Sequence, residues 1–182
     1  MPLDHPLLAP VVASRYGSGG STLMSDFRTP FGPQVFTPAD AAFEQRVRES
    51  FARQRAMSTL GAALTSVSPG EVVIELPFRE DLTQQHGYLH AAIITAIVDS
   101  ACGYAAYSLM PVDAAVLTAE YKVNFLAPAA GRRFMAYGRV TKPGRTLTVT
   151  TGDVVAETEG GLKPVATMLA TMMTVSGRGF SG

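Results

Sequence analysis

The chain has very little cysteine and no excess charge of either sign. Its single cysteine, Cys102, cannot form an internal disulfide, which excludes a disulfide-stapled secreted scaffold and favours a reducing compartment such as the cytoplasm. Fifteen Lys and Arg balance fifteen Asp and Glu, so the basic excess typical of nucleic-acid-binding proteins is missing. We therefore expect no nucleic-acid partner, and any anionic ligand has to be recognised locally.

Charged residues are also scarce, at 16% of the chain against 47% hydrophobic residues. Such a composition excludes a mostly disordered protein. A length of 182 residues is sufficient for one core domain with an appendage.

A targeting signal and a membrane span are both poorly supported. The apolar run 6–13 contains two prolines and follows Asp4, where a signal peptide has basic residues. Residues 91–109 carry a single charge, Asp99, but an Asp in the middle of a membrane helix costs about 2.5 to 3.5 kcal/mol. We expect a helix buried in a protein core and no membrane partner.

Several prolines and a Gly-Ser-Gly-Gly run lie in residues 1–36, which predicts a loosely ordered arm. A helix is predicted over residues 37–56, with Thr37 as its N-cap and Pro38 at its first position. Its apolar residues recur every four positions and form one stripe that can lie on a sheet: Phe43, Val47 and Phe51.

Alternating hydrophobicity and turn residues predict two strands, the apolar helix and then four strands. The expected strands cover residues 59–67, 71–78, 115–126, 133–142, 145–157 and 164–175. A long hydrophobic helix between a hairpin and a meander predicts an α+β fold, in which an antiparallel curved sheet wraps around that central helix. We assign residues 57–176 to this domain and 177–182 to a tail.

The third strand alternates without interruption in the sequence. Leu117 and Tyr121 therefore face one way and Thr118 the other, and one of the two faces belongs to the core.

A motif precedes and enters the central helix. It resembles the hotdog acyl-CoA thioesterases of the phenylacetic-acid-degradation type, in which an Asn or Gln lies fifteen residues before an acid and a His-Gly pair lies nine and eight residues before it. Gln84, His90 and Ala91 have these offsets from Asp99, with Ala91 in place of the glycine. The nearby His86-Gly87 pair is out of register and is assigned to the loop.

The resemblance implies a hotdog fold, an acyl-CoA substrate, no metal or other cofactor, and homodimers that pair into tetramers with sites across the subunit interface. It also implies catalytic roles for Gln84, His90, Ala91, Asp99 and Thr118. Positions implied to bind substrate are Asn124 at a strand end and a turn containing Lys142, Gly144 and Arg145. Gly103, one helical turn after Asp99, either packs closely or leaves room for a ligand.

The residues themselves support a site at Asp99, because desolvating a lone carboxylate is costly. An ionised carboxylate can act on a thioester as a base or as a nucleophile, and both roles remain open. The N–H of Ala91, at the helix N-terminus, can stabilise negative charge on the carbonyl oxygen. Because eight helical residues span about 12 Å, one chain cannot bring both groups to the same carbonyl. A second subunit has to supply one of them.

Alternative interpretations remain. One is a non-catalytic acyl-CoA-binding or regulatory module, and another is a hydratase that pairs His90 with an acid. His86 and His90 have the spacing of a helical zinc pair but no evident third ligand. Cys102 is interpreted as a small core residue, and Tyr104 and Tyr107 as lining either an acyl pocket or the core.

Overall fold

The structure is a computed structural model and describes residues 34–176. Apart from positions 34–36, the predicted arm lies outside the described residues, as does the predicted tail. The elements are α1 (Phe43–Arg53), α2 (Arg55–Leu60), β1 (Ala63–Ser68), β2 (Glu71–Pro77), a 3-10 turn (Glu80–Leu82), α3 (Ala91–Tyr107), β3 (Ala114–Phe125), β4 (Arg133–Lys142), β5 (Leu147–Thr158) and β6 (Gly161–Ser176). The predicted order of one helix, two strands, a helix and four strands is confirmed, with α2 as an addition.

The start of the N-terminal helix differs from the prediction. α1 begins at Phe43, so the assignment of Thr37 as N-cap and Pro38 as first helical residue was wrong. The physical reason is Asp40, whose carboxylate accepts a hydrogen bond from the backbone N–H two residues later and pairs with Arg46 at 2.9 Å. These contacts hold the chain in a turn before the helix.

The apolar stripe of α1 is confirmed, because Val47 is buried and Phe43 and Phe51 pack against the core. Gln54 leaves the helical conformation with ψ of 92°. α2 then continues to Gly61, whose φ of 74° is left-handed and ends the helix. The first strand therefore starts later than predicted.

The six strands form one antiparallel sheet in the order β1-β2-β4-β5-β6-β3. α3 packs against one face of this sheet, here called the inner face, and contacts every strand from β2 to β6. The expected α+β architecture, an antiparallel sheet around a central helix with an extra N-terminal helix, is confirmed and is the hotdog fold. β3 forms one edge of the sheet.

α3 is the apolar helix predicted from the sequence, and residues 100–107 are all buried. Within residues 34–176, no helix combines the length and hydropathy needed to cross a bilayer.

A pair of glycines sets how closely α3 approaches the sheet. Gly138 of β4 lies opposite Gly152 of β5. A Cβ on Gly138 would overlap the backbone carbonyl of Ala101, and one on Gly152 would lie 2.7 Å from the sulfur of Cys102. Since only glycine leaves this space, the pair fixes the depth of α3.

A β-bulge changes the alternation of β3. Between the pairs Thr118↔Met172 and Tyr121↔Ala170, β3 contains one residue more than β6. Met172 and Ala170 are both buried beneath α3, so Thr118 and Tyr121 share the inner face. The prediction that they face opposite sides was wrong, because the extra residue reverses the alternation.

Candidate active site

Asp99 projects from the middle of α3 towards β3. Thr118 Oγ1 donates a hydrogen bond of 2.8 Å to Asp99 Oδ1. Partial burial raises the pKa of the carboxyl, and the Thr118 hydrogen bond opposes this rise. A partly desolvated carboxylate with a defined hydrogen-bond partner is typical of a catalytic base or nucleophile.

Asp99 opens onto a cleft of about 330 Å³ between α1, α3 and β3. Three of the predicted site residues, Asp99, Thr118 and Gly103, lie together there. The full lining consists of Ser50, Arg53, Gln54, Asp99, Ser100, Gly103, Tyr104, Tyr107, Ala115, Val116 and Thr118.

Gly103 keeps this cleft open. A Cβ at this position would meet no atom within 4 Å, so Gly103 is not required for close packing. Gly103 was expected either to allow close packing or to leave space for a ligand, and the structure favours the second role. Tyr104 and Tyr107 line the same cleft.

The N-terminus of α3 is capped so that one donor stays available. His90 is the N-cap, and its Nδ1 accepts a hydrogen bond of 3.0 Å from Ala92 N–H. Ala91 N–H, one residue earlier, has no acceptor among the described residues. It is therefore a free donor at the positive end of the helix dipole.

Gln84 organises the loop before α3. Its Oε1 accepts a hydrogen bond of 2.7 Å from His86 N–H, and Gly87 has a φ of 80°, which favours glycine. The His86-Gly87 pair thus belongs to a tight loop, as expected. The ring of His90 caps the helix through its Nδ1.

The predicted site residues form two groups within the chain. Gln84, His90 and Ala91 lie at the start of α3, whereas Asp99 lies about 12 Å further along the helix axis. The chain alone therefore does not bring the free N–H and the carboxylate together.

Asn124 is not part of the cleft. It lies opposite Thr167 on the outer face of the sheet, where its Oδ1 accepts a hydrogen bond of 3.0 Å from Lys122 Nζ.

The predicted basic turn joins β4 to β5, with Lys142 and Arg145 exposed. A Cβ on Gly144 would overlap the carbonyl of Leu147, so the turn itself requires glycine there. Met172 of β6 is paired with Thr118 of β3 on one side and with Thr148, near the start of β5, on the other. The turn before β5 therefore lies at the same end of the sheet as Thr118.

Sequence reasoning did not find the contribution of α1. Ser50, Arg53 and Gln54 line the cleft, and their i, i+3, i+4 spacing places them on one side of the helix. In the sequence, this polar stripe lies beside the apolar stripe of α1, and it was the feature that could have indicated a role of α1 in the site. Cys102, in contrast, is buried, and burial raises its pKa to about 12, so it does not supply a nucleophilic thiolate.

Comparison with known proteins gives a consistent result. Residues 86–163 match the family described as the thioesterase superfamily. A candidate esterase of Halobacterium salinarum is 34% identical over 104 residues, covering 54% of this chain and 68% of that protein. A candidate esterase of Saccharolobus solfataricus is 33% identical over 90 residues, covering 50% of this chain and 64% of that protein, slightly less than two thirds of its length.

Solved structures are similar over a larger part of the chain. A thioesterase family protein from Silicibacter pomeroyi is 54% identical, with a TM-score of 0.73, over 74% of this chain and 99% of that one. The PaaI protein of the Escherichia coli phenylacetic acid degradation operon has a TM-score of 0.68 over 76% of this chain and 97% of that one, at 20% identity. The latter similarity concerns the fold alone.

Proposed function

Because the chain belongs to the thioesterase superfamily, we propose that it hydrolyses the thioester of an acyl-CoA to a free acid and CoA. The observation that carries the proposal is the half-buried Asp99 carboxylate, bound by Thr118 at the edge of a cleft. No metal or other cofactor is part of the proposed reaction.

Asp99 acts in its ionised form. It either removes a proton from water that attacks the thioester carbonyl, or attacks that carbonyl itself and is then regenerated by water. In both routes the carbon–sulfur bond breaks and the sulfur leaves as a thiol after taking up a proton. Thr118 holds one carboxylate oxygen, which leaves the other for the reaction.

The second catalytic group comes from a partner copy. Ala91 N–H is a free donor, and in this proposal it binds the carbonyl oxygen of a substrate that reacts with Asp99 of the other subunit. Gln84 and His90 then position the loop and the helix end that carry this donor.

The edge of the sheet offers the surface for that partner. β3 is a twelve-residue edge strand, and its inner-face residues Tyr121 and Phe125 are each 48% exposed. A long edge strand with exposed apolar side chains is a template for strand pairing. We therefore propose a homodimer formed through β3, in which the two sites are equivalent.

Dimers are proposed to pair through the outer face of the sheet. Leu117, Leu147 and Leu169 are 45%, 51% and 55% exposed. The register Leu117↔Met173↔Leu147 connects two of them across three strands, so they belong to one apolar surface of the kind that marks protein contacts.

Lys142 and Arg145 are proposed to contact the CoA phosphates, because they are exposed cations at the end of the sheet where Thr118 lies. The reaction is assigned to the cytoplasm on the basis of the single cysteine.

The proposal is tested by thiol release from a panel of acyl-CoAs. We expect the wild type to hydrolyse at least one of them, and Asp99→Asn to lose at least about 100-fold in kcat. Asp113→Asn, which removes an exposed carboxylate outside the cleft, serves as the matched control and retains activity. Near wild-type hydrolysis by Asp99→Asn contradicts the role of Asp99. Binding of acyl-CoA without any hydrolysis supports the non-catalytic module instead.

A further inference from the structure

One wall of the cleft is unusually polar for a site that would take a hydrocarbon chain. Ser50 Oγ lies 3.5 Å from Tyr104 OH, and Gln54 Nε2 donates a hydrogen bond of 3.4 Å to Ser100 Oγ. The contacts connect α1 to α3 along the length of the cleft. A purely apolar acyl chain would remove this wall from water without replacing its hydrogen bonds.

Two further polar atoms of the lining residues are left without partners. Gln54 Oε1 and Tyr107 OH are buried and form no hydrogen bond within the described part of the chain. Buried polar groups normally have partners, so these two atoms are unsatisfied polar positions in residues that line the cleft.

Arg53 gives this wall a positive charge. Arg46 and Arg48, on the same helix, are paired with Asp40 and Glu44. By contrast, no carboxylate of residues 34–176 lies within ion-pair distance of the Arg53 guanidinium.

Arg53 and Tyr104 line the same cleft, and Ser50, three residues before Arg53 and on the same side of α1, has its Oγ 3.5 Å from Tyr104 OH. Burial raises the pKa of Tyr104, the hydrogen bond with Ser50 opposes that rise, and the positive charge of Arg53 opposes it further. Arg53 forms no ion pair with Asp99. It is therefore available to an anion inside the cleft and is not the counterion of the catalytic carboxylate.

Position along α3 indicates which part of a substrate would reach Arg53. Tyr104 is five residues, or about 7.5 Å, beyond Asp99. An extended chain advances about 3.5 Å for every three bonds, so this span corresponds to about five to six bonds, which reach the sixth or seventh carbon counted from the thioester carbonyl. The phosphates of CoA lie at the far end of the much longer pantetheine arm. That arm extends from the sulfur side of the thioester, in the direction opposite to the acyl chain.

We propose, on the basis of the thioesterase activity proposed above, that the substrate is a dicarboxylic acyl thioester of about six carbons, whose free carboxylate is bound by Arg53 and the Tyr104 hydroxyl. Arg53 thus determines specificity for the acyl group, and α1 supplies the polar wall that accommodates it.

The test compares three acyl-CoAs of equal chain length: adipyl-CoA, 6-hydroxyhexanoyl-CoA and hexanoyl-CoA. In the wild type, kcat/KM is expected to be highest for adipyl-CoA. Arg53→Gln is expected to lower the adipyl-to-hexanoyl ratio about tenfold. Arg55→Gln, which removes an exposed arginine outside the cleft, is the matched control and retains the wild-type ratio. Equal or better hydrolysis of hexanoyl-CoA or 6-hydroxyhexanoyl-CoA by the wild type overturns the proposal.

A second arm separates the acyl carboxylate from the CoA phosphates. The same acyl groups are presented on N-acetylcysteamine, which has no phosphate. Loss of the adipyl preference in Arg53→Gln on this carrier supports the proposal. An effect of Arg53→Gln that appears with every CoA ester and with no N-acetylcysteamine ester overturns it in favour of phosphate binding.

A third arm separates the acyl preference from the thioesterase activity. Binding of adipyl-CoA and hexanoyl-CoA is measured by calorimetry with Asp99→Asn and with Asp99→Asn/Arg53→Gln. A preference for adipyl-CoA that disappears in the double variant supports the proposal even if the wild type hydrolyses neither ester, in which case only the thioesterase assignment fails. Equal binding of the two esters by Asp99→Asn overturns it.

Discussion

Thr118 Oγ1 donates a 2.8 Å hydrogen bond to Asp99 Oδ1, and it does so across the gap between an edge strand and the central helix. The bond favours the ionised carboxylate, whereas burial disfavours it. Thr118 therefore limits how far the pKa of Asp99 rises.

Removing the hydroxyl of Thr118 should change the pH dependence of the reaction. In Thr118→Val the pKa of Asp99 is expected to rise further, so the acidic limb of the kcat/KM profile moves to higher pH. On the acidic limb we expect a three- to tenfold loss of kcat/KM, about what one partly exposed hydrogen bond contributes, and a smaller loss at alkaline pH.

Thr118→Ser is the matched control, because it keeps the hydroxyl and should keep the wild-type profile. A profile of Thr118→Val that is lowered equally at every pH would show that Thr118 does not act through the ionisation of Asp99.

The sequence predicted Asp99 well and the position of Thr118 poorly. A single charge in an apolar helix is visible without a structure, and so is the helix itself. Alternation along the third strand, however, put Thr118 and Tyr121 on opposite faces. The bulge that unites them depends on the pairing of β3 with β6, and a local pattern does not contain that information.

The sequence pattern also failed to predict helix boundaries that depend on contacts between residues distant in the chain. The ion pair between Asp40 and Arg46 determines the start of α1. The Arg46 guanidinium also donates a hydrogen bond of 2.8 Å to the backbone carbonyl of Met110, which is distant in the sequence. The polar side of α1 became part of the site only because the helix packs beside α3. The strand order and the glycine pair likewise follow from tertiary packing.

Asp99 is expected to reduce the stability of the folded protein at neutral pH. Because its pKa is raised on folding, the folded chain holds this proton more tightly than the unfolded chain. The corresponding stability is therefore present at low pH and is lost as the pH rises through the folded pKa. Asn cannot ionise, so Asp99→Asn should raise the free energy of unfolding at about pH 8 by at most about 1 kcal/mol, since the site is partly exposed to solvent.

Urea denaturation at several pH values measures this effect. The difference between Asp99→Asn and the wild type should shrink as the pH is lowered into the ordinary carboxyl range. A difference that grows on acidification would mean that the folded state lowers the pKa of Asp99.

Gly138 should tolerate no side chain. A Cβ there overlaps the backbone of Ala101 in α3, and backbone atoms cannot move aside as a side-chain tip can. Gly138→Ala is expected to lower the free energy of unfolding by about 3 kcal/mol, measured by urea denaturation. Gly160→Ala, whose Cβ would only meet Thr158 Oγ1 at 3.8 Å, should stay within about 0.5 kcal/mol of the wild type. Equal stability of the two variants would contradict the close approach of α3.

Gly103 should show opposite effects on stability and activity. Its Cβ would enter open space, and alanine favours a helix over glycine by about 1 kcal/mol, so Gly103→Ala should raise the free energy of unfolding. The added methyl group narrows the cleft, and kcat/KM should fall about tenfold for acyl groups that fill it. Increased stability with unchanged kcat/KM for all acyl-CoAs would show that this space is not used by the substrate.

The position of Ala91 allows its N–H to be removed with little disturbance. Proline is favoured at the first position of a helix, and His90 already has the extended conformation, φ −63° and ψ 139°, that proline requires of the residue before it. Ala91→Pro should therefore fold normally, with a circular dichroism spectrum and midpoint of unfolding close to those of the wild type. Its hydrolytic activity should be greatly reduced, because the oxyanion donor is missing.

Mixing two inactive variants then tests whether the site is shared between subunits. In a dimer of one Asp99→Asn chain and one Ala91→Pro chain, one site receives an intact carboxylate and an intact N–H, and the other site receives neither. After unfolding and refolding together in equal amounts, half of the dimers are mixed, so the preparation should regain about a quarter of the wild-type activity. If both groups acted within one chain, every site would keep one defect and the mixture would stay as inactive as its components.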